Sequence, residues 1–285
     1  MSNTILFNGQ FKSADTDVLQ HSNRGFNYGD GVFETIRVIN NEVLFWEDHY
    51  FRLMSSMRIM RMEIPQEFSP EKLEEDIRSL IKENELTDKP ARVKLNVFRK
   101  SGGYYTPTSR EIDHLISVTE IESAFYQFPQ QDHYQVELFK DHYILSGLLS
   151  SIKSTNKAVN VLAGIYAEEN GYDNCLLINE SKSVVEAING NIFLVKDGIV
   201  KTPPLSDGCL NGIVRKQIID IVKNNDDLEL QEASVSPFEL QKADEFFITN
   251  IIKGIIPITK YRKKDYNSVT CKKLLGQLNA KARLG

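Results

Sequence analysis

Along this chain, runs with strand-like alternation sit between helical runs, and many come as closely spaced pairs joined by turn residues. That pattern constrains the fold most, because parallel strands need crossovers of about a dozen residues. Residues 4–7 read as a strand closed by Asn8-Gly9. Residues 32–39 read as another, turning at Asn40-Asn41 and returning through Val43, Leu44 and Phe45. Further strands are expected at 92–98, 114–121, 174–178, 183–187, 192–195, 199–202, 243–249 and 255–259. Trp46, Tyr50, Leu53, Met57 and Met60 make an apolar stripe on a helix over 47–62, which Ile64-Pro65 ends. Other helices are expected from Ser69, over 158–170 with Gly171 as cap, over 212–224, and from Ser268. So many hairpins exclude a simple doubly wound sheet. The expected class is α+β, and 285 residues suffice for about two domains. Their expected bounds are 1–121 and 132–285, with a polar, Pro-containing linker at 122–131.

The net charge of -5 disfavours nucleic acid as a partner. Cys175, Cys209 and Cys271 form neither a disulfide framework nor a CxxC pair, and the five histidines lack metal spacing, so no metal is expected. The start lacks a signal-peptide pattern, and no apolar run is long enough to cross a bilayer. A cytoplasmic protein without a membrane partner is expected.

Four segments could carry chemistry. Lys153, in Ile152-Lys153-Ser154-Thr155-Asn156, follows apolar Leu148 and Leu149; desolvation there would free an amine for Schiff-base chemistry. Glu186, between Val185 and Ala187, could meet a cationic ring nitrogen. Arg52, on one helical stripe with His49 and Ser56, could bind a phosphate. Asn211-Gly212-Ile213-Val214-Arg215 opens a helix, where backbone N–H groups favour anions. Taken singly, each also reads as ordinary surface: a solvated lysine, the polar face of a strand, a solvated helix face, a lone glycine.

Together, and in this order, they resemble the class IV (fold type IV) pyridoxal-phosphate enzymes. That family comprises branched-chain aminotransferase, D-amino-acid aminotransferase and 4-amino-4-deoxychorismate lyase. The resemblance rests on Asn23 through Thr35 (with Arg24-Gly25 and Tyr28-Gly29-Asp30-Gly31), His49 through Leu53, and Ile152 through Asn156. It continues in Val185-Glu186, Asn191-Ile192-Phe193, Gly212 through Arg215, and Ala243-Asp244-Glu245. It implies a two-domain fold like that of D-amino-acid aminotransferase, with the cofactor site between the domains, and a homodimer. Lys153 then holds pyridoxal 5'-phosphate as a Schiff base and shuttles the substrate proton, while Glu186 keeps the pyridine nitrogen protonated. Arg52 and the backbone at Ile213-Val214 bind the phosphate, with Val214 where many relatives have Thr. Asn189, Gly190, Asn250 and Ile251 join the cofactor set; Tyr28, Phe33, Arg99, Tyr104 and Lys157 are the substrate candidates.

Within the family, the short Lys153-Ser154-Thr155-Asn156 and Thr35 resemble the lyase or the D-amino-acid enzyme. The loop Lys100-Ser101-Gly102-Gly103-Tyr104-Tyr105-Thr106-Pro107 has no Arg-x-His carboxylate trap and is lyase-like, except for Tyr104 where lyases commonly have Arg. The first expectation is therefore 4-amino-4-deoxychorismate lyase, releasing pyruvate to give 4-aminobenzoate. The alternative is an aminotransferase acting on branched-chain or D-amino acids with 2-oxoglutarate; a non-catalytic cofactor-binding relative stands third.

Overall fold

The computed structural model describes residues 4–129 and 133–284, with the side chain of Leu284 left out. Residues 130–131 of the expected linker lie outside the described residues, as do residues 1–3, 132 and 285 of the expected domains. The chain divides into two compact units, Met1–Ala124 with Ile152–Asn156, and Phe125–Ser151 with Lys157–Gly285.

The first unit holds strands β1 (Thr4–Phe7), β2 (Gln10–Ser13), β3 (Gly31–Ile39), β4 (Glu42–Val43), β5 (Ala91–Arg99) and β6 (Ile112–Glu120). Its helices are α1 (Arg24–Tyr28), α2 (Trp46–Ile59) and α3 (Pro70–Glu83). The six strands form one antiparallel sheet in the order β2-β1-β6-β5-β3-β4. Asn40 and Asn41 both have positive φ, as the tight β3–β4 turn requires. Alternate residues of β3 and β5 bury Val32, Ile36, Val38, Val93, Leu95 and Val97 with Leu53 and Met57 of α2 and Leu73, Ile77 and Leu80 of α3. Helix α2 stops at Ile59, short of the expected 62, because Arg61 adopts φ 54.

The second unit holds β7 (Gln135–Ile144), α4 (Ala158–Glu169), β8 (Asn174–Asn179), β9 (Val184–Ala187), β10 (Gly190–Lys196) and β11 (Ile199–Thr202). After these come α5 (Ile213–Lys223), β12 (Glu229–Glu232), α6 (Pro237–Leu240), β13 (Glu245–Asn250), β14 (Gly254–Ile258), β15 (Lys260–Tyr261), β16 (Lys264–Asp265) and α7 (Val269–Leu284). The sheet runs β12-β11-β10-β9-β8-β7-β15-β16, with β13 pairing β10 and β14. Strand β7 escapes the sequence pattern because its polar second half, from Lys140 to Tyr143, is exposed. Among the described residues no helix is long and apolar enough to cross a membrane.

Chain position suggests that the second domain carries Lys153, but the contacts group Ile152–Asn156 with the first unit. The physical reason is backbone pairing. Phe33 N–H donates to Lys153 O at 2.8 Å, Thr155 N–H donates to Gly31 O at 3.0 Å, and Val32 bridges Ser154.

Candidate active site

In the first unit, this pairing lays the lysine segment along the start of β3. Lys153 Nζ stands 4.6 Å from the Phe33 ring centroid, within cation–π range. Lys94 Nζ lies 5.2 Å from the same ring.

The opposite face of β3 carries Glu34 among the core residues, 1% exposed. Helix α2 places His49 and Arg52 three residues apart, on one face, and both reach this carboxylate. Arg52 Nε donates to Oε1 at 2.8 Å and Nη2 donates to Oε2; His49 Nδ1 lies 2.7 Å from Oε2. Burial alone would raise the Glu34 pKa. The Arg52 charge and the hydrogen bonds from His49 and Arg52 outweigh it and hold the pKa at about 2. Burial pushes His49 below its ordinary value, and the nearby Arg52 and Lys153 charges add to this against the opposing pull of Glu34. A neutral His49 therefore donates from Nδ1 to an ionised Glu34. The fork of Arg52 is aligned by Glu34.

A second buried carboxylate, Asp30, bridges two arginines. It accepts from Arg24 Nε at 2.9 Å and from Arg99 Nε and Nη2 at 2.9 and 3.2 Å. Arg99 also donates to the carbonyls of Met60 and Arg61. The expectation that Arg99 contacts substrate gives way here. At 5% exposure and with four bonds made, its guanidinium is committed to the scaffold. Arg24 Nη1 donates to the carbonyls of Gly102, Gly103 and Tyr104, so the glycine loop is anchored from below. Gly102 and Gly103 have φ of 124 and 72, and a Cβ on either would lie 2.2 Å from a neighbouring oxygen. The ring of Tyr104 is exposed; Tyr28 packs 4.8 Å from Arg24 Cζ and 5.8 Å from the Tyr105 ring.

In the second unit, Glu186 lies on β9 and its Oε2 accepts from Leu210 N–H at 3.0 Å. The hairpin from β9 to β10 pairs Ala187 with Gly190, leaving Ile188 and Asn189 as its loop. Asn189 Oδ1 accepts from Asn174 Nδ2 at 3.1 Å. A Cβ at Gly190 would lie 2.5 Å from Thr249 O, so that site needs glycine, and one at Gly212 would lie 2.0 Å from Asn191 Oδ1, so a side chain there would displace the Asn191 amide. Helix α5 starts at Ile213 and Val214 with Gly212 as N-cap and no side-chain cap, which leaves first-turn N–H groups for an anion. Asn250 Oδ1 accepts from the N–H groups of Ile252 and Lys253, and Ile251 O accepts from Tyr126. Lys157 is the N-cap residue of α4, half-buried.

The family sequence model described as amino-transferase class IV matches residues 31–261, most of the chain. The chain belongs to the class IV aminotransferases. A putative branched-chain-amino-acid aminotransferase of Methanocaldococcus jannaschii is similar at 29% identity over 283 residues, 98% of this chain and 93% of its own. A D-alanine aminotransferase of Bacillus licheniformis is 27% identical over 267 residues, 90% of this chain and 87% of its own. The solved structure of the branched-chain amino acid aminotransferase from Thermobaculum terrenum, in its PLP form, matches with a TM-score of 0.86 at 21% identity. That match covers 100% of this chain and 95% of the other, and it shows the fold. The lyase expected first finds no support in these relatives, whose names are those of aminotransferases.

Class IV aminotransferases use pyridoxal 5'-phosphate, and this chain's residues fit it. The uncapped start of α5 suits a phosphate approaching backbone. Thr249 Oγ1 is buried without a hydrogen-bond partner among the described residues, leaving a hydroxyl for such a group. Taken separately, a carboxylate such as that of Glu186 would suit a ring nitrogen, and an amine such as that of Lys153 would suit an aldehyde.

The roles of Glu34, Asp30, Arg24, Asn191 and Thr249 do not emerge from sequence reasoning. One signal was present for Glu34: a carboxylate at a core-facing position of an alternating strand needs a buried cation, and Arg52 was already a candidate.

Proposed function

We propose that this class IV enzyme transfers amino groups between apolar amino acids and an anionic 2-oxo acid such as 2-oxoglutarate. Lys153 is the cofactor lysine, and its Nζ moves the proton at the substrate α-carbon. Glu186 would pair with the ring nitrogen, and Arg52 with the N–H groups at Ile213 and Val214 would hold the phosphate. Asn189, Gly190, Asn250 and Ile251 belong to the surrounding shell; Tyr28, Phe33, Tyr104 and Lys157 remain substrate candidates. When bound, the cofactor supplies an aldehyde for amines and an electron-withdrawing ring.

The observation that carries this reading is the Lys153 amine held over Phe33 by paired backbone, in a chain of this family. For the donor, the one cation of the loop 100–107, Lys100, is paired with Glu111 and Arg99 is committed to Asp30, so neither captures a second carboxylate on the donor. Branched-chain donors therefore come first, a preference supported by the Methanocaldococcus relative. D-alanine is the second reading, supported by the Bacillus one. For the acceptor, Arg92 and Lys94 share the Phe33 face of the sheet, opposite uncharged Thr119 and Ser117 of β6. The homodimer is part of the proposal, on resemblance, and sedimentation at assay concentration tests it.

The experiment compares kcat/KM for leucine, isoleucine, valine and D-alanine with 2-oxoglutarate, and measures pyruvate release from aminodeoxychorismate without acceptor. A branched-chain donor should be fastest. Faster D-alanine transfer would select the second reading, and faster pyruvate release would overturn both.

A further inference from the structure

Asn191 is a buried side chain with no role in the chemistry above, yet its neighbours are the two ends of the proposed cofactor cradle. It sits on β10, opposite Glu186 of β9 and Thr249 of β13, and is 4% exposed. Its Nδ2 donates to Leu210 O at 2.7 Å. The N–H of that same residue donates to Glu186 Oε2 at 3.0 Å. Gly212 N–H donates to Leu210 O as well, at 2.9 Å. The amide oxygen of Asn191 faces Gly212 so closely that a Cβ there would lie 2.0 Å away. The amide is thus wedged between the carbonyl of Leu210 and the backbone that starts α5. Its orientation is fixed, since the reverse would set two oxygens against each other.

We propose that Asn191 is a positioning residue that ties the Glu186 carboxylate to the start of α5, so that the groups for the ring and the phosphate of one cofactor keep a single spacing. The inference rests on the roles proposed above for Glu186 and for Ile213-Val214. Asn191 itself is neutral, so its own part of the tie is a matter of shape and hydrogen bonding. Replacing the amide leaves Leu210 O with the Gly212 N–H alone, loosens the loop 208–212 and lets both ends move together. Filling Gly212 with a methyl group has the same consequence from the other side, because Asn191 must swing away. The two changes act on one contact, so their effects should not multiply.

The test uses Asn191→Ala, Gly212→Ala and the double variant. Hydrogen exchange at the Leu210 amide is measured on the cofactor-free protein. The pyridoxal-phosphate dissociation constant and the absorption spectrum of bound cofactor are measured on the loaded protein. Loss of a buried hydrogen bond predicts roughly 5- to 100-fold faster exchange and weaker binding in Asn191→Ala. The absorption band should shift with it, because Glu186 moves relative to the ring. Gly212→Ala should match this, and the double variant should be no worse than the poorer single one. Unchanged exchange overturns the proposal. Faster exchange with affinity and spectrum unchanged also overturns it, leaving Asn191 a packing residue only. Multiplying losses in the double variant would make the two residues independent. If Asn191→Ala does not fold, Gly212→Ala alone decides between these outcomes. If the unaltered protein binds no cofactor, the function proposed above fails, while exchange at Leu210 still decides whether Asn191 holds the loop.

Discussion

The two units prepare their candidate groups by different physics. In the first, Arg52 is held by charge: a buried Glu34 grips its fork, and neutral His49 completes the carboxylate's bonds. In the second, Glu186 and the start of α5 are held by neutral amides and by glycines that let backbones approach. A buried ion cluster is expensive to break, because removing one partner strands a charge, by about 3–5 kcal/mol. An amide tie costs about 1–3 kcal/mol when broken and responds to shape before it responds to pH. The first unit should therefore fail with acid, the second with steric change.

The largest effect expected tests the second unit. Glu186→Gln keeps the shape and the Leu210 bond but removes the charge proposed to pair with the ring nitrogen. Loss of about 100-fold or more in kcat, at about 1.4 kcal/mol per tenfold, with cofactor retained, is the expected result. Near-normal turnover would confine Glu186 to holding the loop.

Next comes Glu34→Gln, which strands Arg52 and should cost about 3 kcal/mol in urea unfolding at neutral pH. The pH dependence has a definite sign. Glu34 is depressed from its ordinary 4.5 to about 2, so its stabilisation is full above 4.5 and is lost as pH falls toward 2. His49 is lowered from 6.5, so the unfolded chain takes up its proton first and stability also falls below 6.5. Glu34→Gln should flatten the acid limb below 4.5. An unchanged limb would place the acid sensitivity elsewhere.

Arg99→Met separates scaffold from site within the first unit. Asp30 keeps only Arg24, so stability should fall by roughly 2–4 kcal/mol while the donor KM stays within about twofold. A KM raised tenfold in a still-folded variant would restore Arg99 to the substrate. The smallest effect expected is that of Val214→Thr. A hydroxyl in the first turn of α5 should tighten cofactor binding by a few-fold, about 1 kcal/mol or less. Weaker binding would move the phosphate away from this turn.

Much of this was legible in the sequence, for reasons that differ by residue. Arg92 to Phe98 alternates cleanly, and the Asn40-Asn41 turn after Val32 to Ile39 is a local signal, so these strands were readable, whereas the pairing of β3 with β5 spans two helices and was not. Lys153, Glu186 and Arg52 stood out through the order of their motifs. Arg99 misled because a free guanidinium and a buried one look alike in sequence; only Asp30, 69 positions away, shows which it is. The attachment of Lys153 to β3 and the wedge of Asn191 against Gly212 are likewise contacts that no local pattern encodes. The preference for a lyase rested on a short loop and on Thr35, features that bear on substrate room and leave the reaction open.

The most direct measurement is borohydride reduction of the protein loaded with pyridoxal 5'-phosphate, followed by peptide mapping. The expected result is one labelled peptide, modified at Lys153 and absent in Lys153→Ala, which should also lose transamination. Label on Lys157 or Lys94 instead, or turnover that survives Lys153→Ala, would contradict the assignment on which the proposed function depends.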